Sequence, residues 1–374
     1  MTPTADVAIA GGGIVGAACA AALAGEGLKV TVIESDFTGA GATAAGMGHV
    51  LVMDDSEAEF ALTRYSRDLW IQAAGSLPPE VEHDPCGTLW VAVDEEEMAE
   101  VHRKAHFARE RGVRAEVLDG ESLAKAEPHL RAALAGALFV EDDIVIYAPC
   151  AAQWLMDQAC RGGAAVEAGL VVEMAGDGVR LSDGRRITAG ATVCAAGARS
   201  TGLFPELSMQ PRKGHLAITG RYPGFVRHQL IELGYLKSAH GETPESVAFN
   251  VQPRKTGQLL IGSSRQYAAA HSGVDQAIFR RMIERALWYM PDLSRLSVIR
   301  TWTGFRPSTP DKLPAVGPCP GRENVWLATG HEGLGIATSL GTARILADLI
   351  MGRSPAIDPA PYSPARLWKA AAHG

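Results

Sequence analysis

Near its start the sequence carries Val7-Ala8-Ile9-Ala10-Gly11-Gly12-Gly13-Ile14-Val15-Gly16, an apolar run that empties into a glycine-rich turn. The apolar run reads as a buried strand, the glycines as a turn without side-chain obstruction, and Ala17 to Ala24 as an alanine-rich helix whose amide end would face a diphosphate. A second strand, Lys29-Val30-Thr31-Val32-Ile33, ends at Glu34, eighteen residues after Gly16, where an acidic side chain reaches a ribose hydroxyl. Glycine alone is weak evidence, because close packing of a helix on a strand also selects it. Here the glycines sit between strand and helix with an acid at the right distance, which predicts a dinucleotide site. That acid disfavours a 2′-phosphate, so FAD or NAD is expected rather than NADP.

A chain of 374 residues is long for a single core and predicts two domains or a discontinuous pair. A hydrophobic content of 47% is enough for large buried sheets, and a net charge of −7 gives no reason to expect nucleic acid or an acidic membrane surface as a partner. Six cysteines, Cys19, Cys86, Cys150, Cys160, Cys194 and Cys319, are scattered without a close pair that would make a zinc or iron–sulfur ligand set, so no metal is expected and the thiols read as buried in a reducing compartment. No uninterrupted apolar stretch approaches the ~20 residues of a membrane span, and a cytoplasmic protein is expected.

Further along, Thr38 to Gly48 is a run of small residues that lets backbone approach something flat or bulky, better read as a ligand-hugging loop than as a linker. Asp54 to Ala74 has a helical pattern, Thr88 to Val93 reads as a strand, and Asp94 caps a helix running to Gly112. His102 and His106 lie four apart on that helix and, without a third ligand nearby, read as exposed. Glu141-Asp142-Asp143 reads as a solvated turn. Ala191 to Cys194 enters a second strand-to-small-residue turn, Ala195-Ala196-Gly197-Ala198, so the chain returns there to the nucleotide domain and residues 51 to about 148 read as an insertion. From Arg212 the sequence is β-rich, with an amphipathic helix starting at Asp275 and a strand from Ser297 to Thr303. The last segment repeats the opening logic: strand Asn324 to Thr329, turn Gly330-His331-Glu332-Gly333-Leu334-Gly335, helix Ile336 to Met351.

Taken together, GGGIVG with Glu34, TAAGMG, TVCAAGA, GFRPSTPDKLPAVGP and ATGHEGLGIATSLG resemble, in order and over nearly the whole chain, the D-amino-acid oxidase superfamily. The branch they resemble is that of glycine oxidase, sarcosine oxidase and the β subunits of D-hydroxyproline dehydrogenase and opine oxidase. The resemblance implies an α/β fold: a discontinuous Rossmann-type FAD-binding domain of residues 1–50, 149–210 and 307–352, and an α+β substrate domain on a mixed, largely antiparallel sheet from residues 51–148 and 211–306, with a tail at 353–374. That sheet would roof the flavin and hold the substrate.

It also implies site residues. For the cofactor these are Gly11, Gly13, Ile14, Val15, Gly16, Glu34, Ser35, Gly41, Ala45, Gly46, Met47, Val172 and Gly197, and the closing turn Gly330, His331, Glu332, Gly333, Leu334, Gly335 and Ile336, whose amides would stabilise negative charge on the flavin. Arg306 matches the arginine that clamps the substrate carboxylate in glycine oxidase, and His215, Asn250 and Arg265 are further catalytic candidates. Glycine oxidase has a second arginine where this chain has Gly333 and a tyrosine where it has Asn250, which leaves room here for a ring or an N-substituent. Gly304 and Thr43 stand where relatives tether flavin through cysteine or histidine, so FAD is expected to be non-covalent. Gln258 to Arg265 lacks the lysine that sarcosine oxidases place over the flavin, which leans towards a dehydrogenase.

The activity expected is FAD-dependent oxidation of the C–N bond of a D-amino acid or secondary amino acid, such as D-proline or D-hydroxyproline, by hydride transfer to flavin N5, giving an imine. One alternative is a glycine or N-alkylglycine oxidase producing hydrogen peroxide. Another is the FAD-bearing β subunit of a hetero-oligomeric opine or hydroxyproline dehydrogenase, inactive alone. The electron acceptor would be oxygen, a quinone or a partner subunit, in a homo- or hetero-oligomer.

Overall fold

A computed structural model of the chain describes residues 4–54, 56–234, 245–267 and 271–369. It divides into two compact units, one of Met1–Val81, Tyr147–Pro211 and Phe305–Gly374, the other of Glu82–Ile146 and Arg212–Gly304.

The first unit is built on an eight-stranded sheet. Its central order is Ala315–Pro318, Val325–Thr329, Arg186–Cys194, Ala5–Ala10, Val30–Glu34 and Ala165–Ala168, parallel throughout except for the antiparallel first pair. Val171–Ala175 and Gly178–Leu181 form an antiparallel hairpin that joins the sheet through Arg186–Cys194. The central parallel strands Ala5–Ala10 and Val30–Glu34 are buried almost throughout and therefore read as near-continuous apolar runs rather than as alternating ones, whereas the edge strand Ala165–Ala168 is exposed. The opening helix Ile14–Gly25 and the closing helix Gly335–Ile350 pack on each other, and small residues let them approach closely: Ala17, Ala18, Cys19 and Ala20 on the one, Ala337, Gly341 and Ala343 on the other, are all buried.

Two segments join this unit although the sequence alone places them elsewhere. The helix Glu57–Ala73, expected to begin the insertion, packs on the closing helix, and its Ser66 Oγ accepts the Gly341 N–H at 3.0 Å. The expected tail at 353–374 is anchored as far as it is described, to residue 369: Tyr362 and Leu367 are buried, and the Tyr362 hydroxyl donates to the Ala58 carbonyl at 2.6 Å. Buried apolar side chains, spaced too irregularly to announce a helix or strand, are what hold it.

In the second unit an eight-stranded sheet runs Val298–Ser308, Gln210–Arg221, Gln258–Gln266, Glu245–Pro253, Gln229–Glu232, Thr88–Ala92, Gly136–Val140 and Ala115–Asp119. Gln229–Glu232 is parallel to Thr88–Ala92, and the other pairings described are antiparallel. The helix Gln276–Tyr289 covers one face, burying Ile278, Met282, Ala286 and Tyr289, the last two in one cluster with Phe249, Val251, Leu259 and Ile261. Asp275 caps its start, as Asp94 does for Glu95–Glu110.

Two local expectations change. The strand expected to stop at Thr303 continues through Arg306 and Pro307 to Ser308; it is the outermost strand of its sheet, where a residue without an N–H costs no ladder bond on the open side. The acidic turn is only half solvated: Glu141 and Asp142 pair with Arg114, but Asp143 is fully buried. His102 and His106 are exposed, and among the described residues no cluster of three or more His, Cys, Asp or Glu is arranged to hold a metal ion. No described helix is long and apolar enough to cross a membrane.

Candidate functional site

The opening turn brings together residues from three parts of the sequence. Glu34, at the end of its strand, lays its carboxylate along the turn: one oxygen accepts the Gly12 N–H at 2.6 Å, the other the Asp36 N–H at 2.9 Å. Thr43, from the small-residue loop, turns its hydroxyl to the Ile14 N–H at 3.0 Å. No side chain of the helix's own first turn caps it and no acid lies there, so its positive end is available to an anion. Gly11 has φ +107° and Gly16 packs so closely on it that a Cβ at Gly16 would lie 1.9 Å from the Gly11 carbonyl oxygen. These two glycines are required by the chain's own packing.

The loop at 38–48 and the closing turn meet the same place. A Cβ on Gly46 would lie 2.7 Å from Ile336 Cδ1, and one on Gly335 would lie 3.9 Å from Val15 Cγ2. Gly13, Ile14, Val15, Gly46, Gly335 and Ile336 are thus brought together. Ala45 and Met47 flank Gly46, and Gly41 begins the same turn with open space beside it. Ser35 donates towards Glu34 and Asp36 and is held by Arg199, a residue that sequence reasoning overlooked. Gly197 sits on the turn between them, its carbonyl accepting the Thr329 hydroxyl at 3.2 Å. Val172 is exposed on its hairpin strand.

The closing turn, Gly330 to Gly335, is laced to the strand that carries Arg306. The Glu332 N–H donates to the Pro307 carbonyl at 2.9 Å, and His331 forms an isolated bridge with Ser308. Arg306 itself lies beside the turn: a Cβ on Gly333 would be 3.6 Å from its Nε and 3.7 Å from its Cδ. His331 points into the protein rather than outward. Its Nε2 is 3.0 Å from the buried Thr342 hydroxyl, and burial holds its pKa down at about 3, which favours the neutral ring. Glu332 folds back on the Gly333 N–H.

The candidates of the second unit are less concentrated. His215 is buried with both ring nitrogens engaged: Nε2 accepts the Asp275 N–H at 2.9 Å and Nδ1 faces Ser264 Oγ at 2.9 Å. It joins strand to helix start, which is a structural duty. Asn250 lies opposite Gly262 and Ile231, whereas Arg265 lies opposite Ser246, so the two buried side chains occupy well-separated positions on the sheet.

Residues 6–349 match the family described as DAO, FAD dependent oxidoreductase. The chain belongs to that family. It is 29% identical to a glycine oxidase of Pseudomonas aeruginosa over 384 residues, covering 96% of this chain and 98% of the relative. It is 30% identical over 326 residues to a D-amino acid dehydrogenase of Xanthobacter autotrophicus, covering 83% of this chain and 74% of the relative. Its fold matches the crystal structure of glycine oxidase from Geobacillus kaustophilus with a TM-score of 0.87 at 28% identity, covering 97% and 98% of the two chains. This DAO-family protein is therefore an FAD-dependent oxidoreductase, in the branch that its sequence motifs resemble. The first unit's residues fit the cofactor: a helix start with no acid in its first turn, and a carboxylate already fixed at the glycine turn, suit a diphosphate and a ribose.

Proposed function

We propose that this DAO-family enzyme oxidises the C–N bond of a small amino acid whose carboxylate is clamped by Arg306, with a D-amino acid or a secondary amino acid such as D-proline or D-hydroxyproline as substrate. The observation that carries this is the placement of the Arg306 guanidinium against Gly333, in the turn that opens the closing helix. A guanidinium offers a carboxylate two parallel hydrogen bonds, which fix orientation as well as affinity. The first unit would hold FAD non-covalently: Thr43 is occupied by the Ile14 amide, and position 304 is glycine. Glu34 would meet the ribose, and the closing helix, with neither acid nor side-chain cap in its first turn, would direct its positive end to the flavin. FAD, when bound, supplies the hydride acceptor. Arg306 holds the substrate still, and the neutral His331 takes no proton.

A dehydrogenase is supported by the absence of lysine from Gln258–Gln266. An oxidase has a specific observation in its favour too: Lys213 is 1% exposed on the neighbouring strand, opposite Gln266. The deciding experiment mixes the yellow protein anaerobically with D-amino acids, D-proline derivatives and N-alkylglycines, follows bleaching of the flavin band, and then admits air. Bleaching by one class names the substrate; fast recolouring identifies an oxidase, and slow recolouring a dehydrogenase. Arg306→Met should lower kcat/KM by about 100-fold, the loss expected for one charged, bidentate contact. No bleaching by any of the panel in an FAD-loaded protein sinks the reading for the isolated chain.

A further inference from the structure

We propose that His331 is a positioning residue for Arg306: it pegs the closing turn to the closing helix, and the turn in turn fixes the arginine. The inference rests on Arg306 being the carboxylate clamp.

On one side of the turn, the imidazole runs along the start of the closing helix. Its Cβ lies 3.5 Å from where a Cβ on Gly335 would stand, and its Nε2 reaches Thr342 at 3.0 Å. On the other side, the backbone of the same turn holds both residues that follow Arg306. Glu332 N–H donates to the Pro307 carbonyl, His331 bridges Ser308, and Gly333 lies along the arginine side chain. Any shift of the turn is thus transmitted to the arginine within one or two residues.

The turn has reason to need a peg. Glu332 sits at φ +50°, in the left-handed region that a side chain with a Cβ disfavours, so this conformation is not one the local sequence adopts by preference. The hydrogen bond that stabilises it is sealed, with His331 4% and Thr342 0% exposed, so water does not replace it when a partner is lost. The ring is neutral and its pKa is moved by burial rather than by a neighbouring charge, so its contribution is a directed hydrogen bond and shape.

The test uses the FAD-loaded enzyme and two planar, non-oxidisable probes, pyrrole-2-carboxylate and pyrrole-2-carboxamide, titrated by their perturbation of the flavin spectrum. Thr342→Val keeps the shape and removes the hydroxyl; Thr342→Ser keeps the hydroxyl; His331→Gln changes the other partner. The expected result is that Thr342→Val and His331→Gln weaken the carboxylate about 5- to 10-fold, the size of one lost buried hydrogen bond, and the carboxamide less than about 2-fold. Thr342→Ser should bind like wild type. In an Arg306→Met background, Thr342→Val should have no further effect, because the coupling runs through the arginine. Equal weakening of both probes, or an undiminished Thr342→Val effect without Arg306, overturns the inference and leaves a merely structural role. If Arg306→Met weakens the carboxylate but Thr342→Val and His331→Gln do not, the inference falls and the clamp stands. If wild type does not bind the carboxylate, or Arg306→Met leaves its affinity unchanged, the clamp itself falls and the inference with it.

Discussion

Replacing Gly16 by alanine should abolish cofactor binding, and the same change nine residues on should not. A Cβ at Gly16 would stand 1.9 Å from the Gly11 carbonyl oxygen, 3.0 Å from its carbon and 3.3 Å from Ala195 Cβ. Ordinary contact begins near 3.4 Å, so strand and helix would have to part by about 1.5 Å in a close-packed junction. There is no slack to absorb this, because Gly11 is itself pressed on the Ala195 carbonyl, where its own Cβ would come within 2.5 Å. Overpacking of this kind costs ~1–3 kcal/mol when side chains can adjust, and here the obstacle is backbone, so ~3 kcal/mol is a floor. Spread over the site that the turn forms, that is at least a 100-fold loss of FAD affinity by the usual ~1.4 kcal/mol per decade. Gly25, the last residue of the same helix, has nothing within 4 Å of where a Cβ would stand, so Gly25→Ala should be neutral or stabilise by up to ~1 kcal/mol. FAD titration by fluorescence quenching and thermal unfolding of the loaded protein measure both. An alanine at 16 that binds FAD within threefold of wild type, or an alanine at 25 that costs as much as the one at 16, would refute the reasoning.

Three further outcomes follow from single contacts. Glu34→Ala removes the acceptors of the Gly12 and Asp36 amides at 2.6 and 2.9 Å and should weaken FAD about 10- to 100-fold in the same titration. Thr43→Val takes the acceptor from the Ile14 amide and should lower stability to denaturant by ~1 kcal/mol, as loss of a helix cap does. His331, with its pKa lowered from 6.5 to about 3, takes up a proton in the unfolded chain but not in the folded one once the pH drops below 6.5. Its contribution to stability is therefore full above pH 6.5 and is lost progressively as the pH falls towards 3, at up to ~1.4 kcal/mol per pH unit. Urea unfolding at pH 7, 6 and 5 should show the wild type losing its advantage over His331→Gln across that interval; a constant difference would mean that the ring is not buried neutral.

What could be read in advance was what neighbouring residues decide. The opening strand, turn and helix, the caps at Asp94 and Asp275 and the apolar face of Gln276–Tyr289 all depend on spacing within a dozen residues, and all stand in the fold. What escaped were partners distant in sequence. Thr43 serves an amide at Ile14, Arg199 holds Ser35, and His215 satisfies the amide of Asp275; each pairing exists only after the sheets have formed. His215 and His331, which the resemblance implies as site residues, are also hydrogen-bonded inside the protein, to the Asp275 amide and to Thr342, and neither partner could be read from the sequence. The strand expected to end at Thr303 runs on through Pro307, which its outermost position in the sheet allows.

The strand order of the first unit also bears on how the chain is made. Ala5–Ala10 pairs on one side with Val30–Glu34, which emerges from the ribosome soon after it, but on the other with Arg186–Cys194, and that strand in turn waits for Val325–Thr329. At ~5–20 residues per second, the second edge of the opening strand stays uncovered for roughly 10–40 seconds of synthesis. During that interval an apolar ribbon and its unsatisfied amides are exposed to every other nascent chain. Yield from expression should therefore depend on chaperone supply during that interval as well as on the stability of the finished protein.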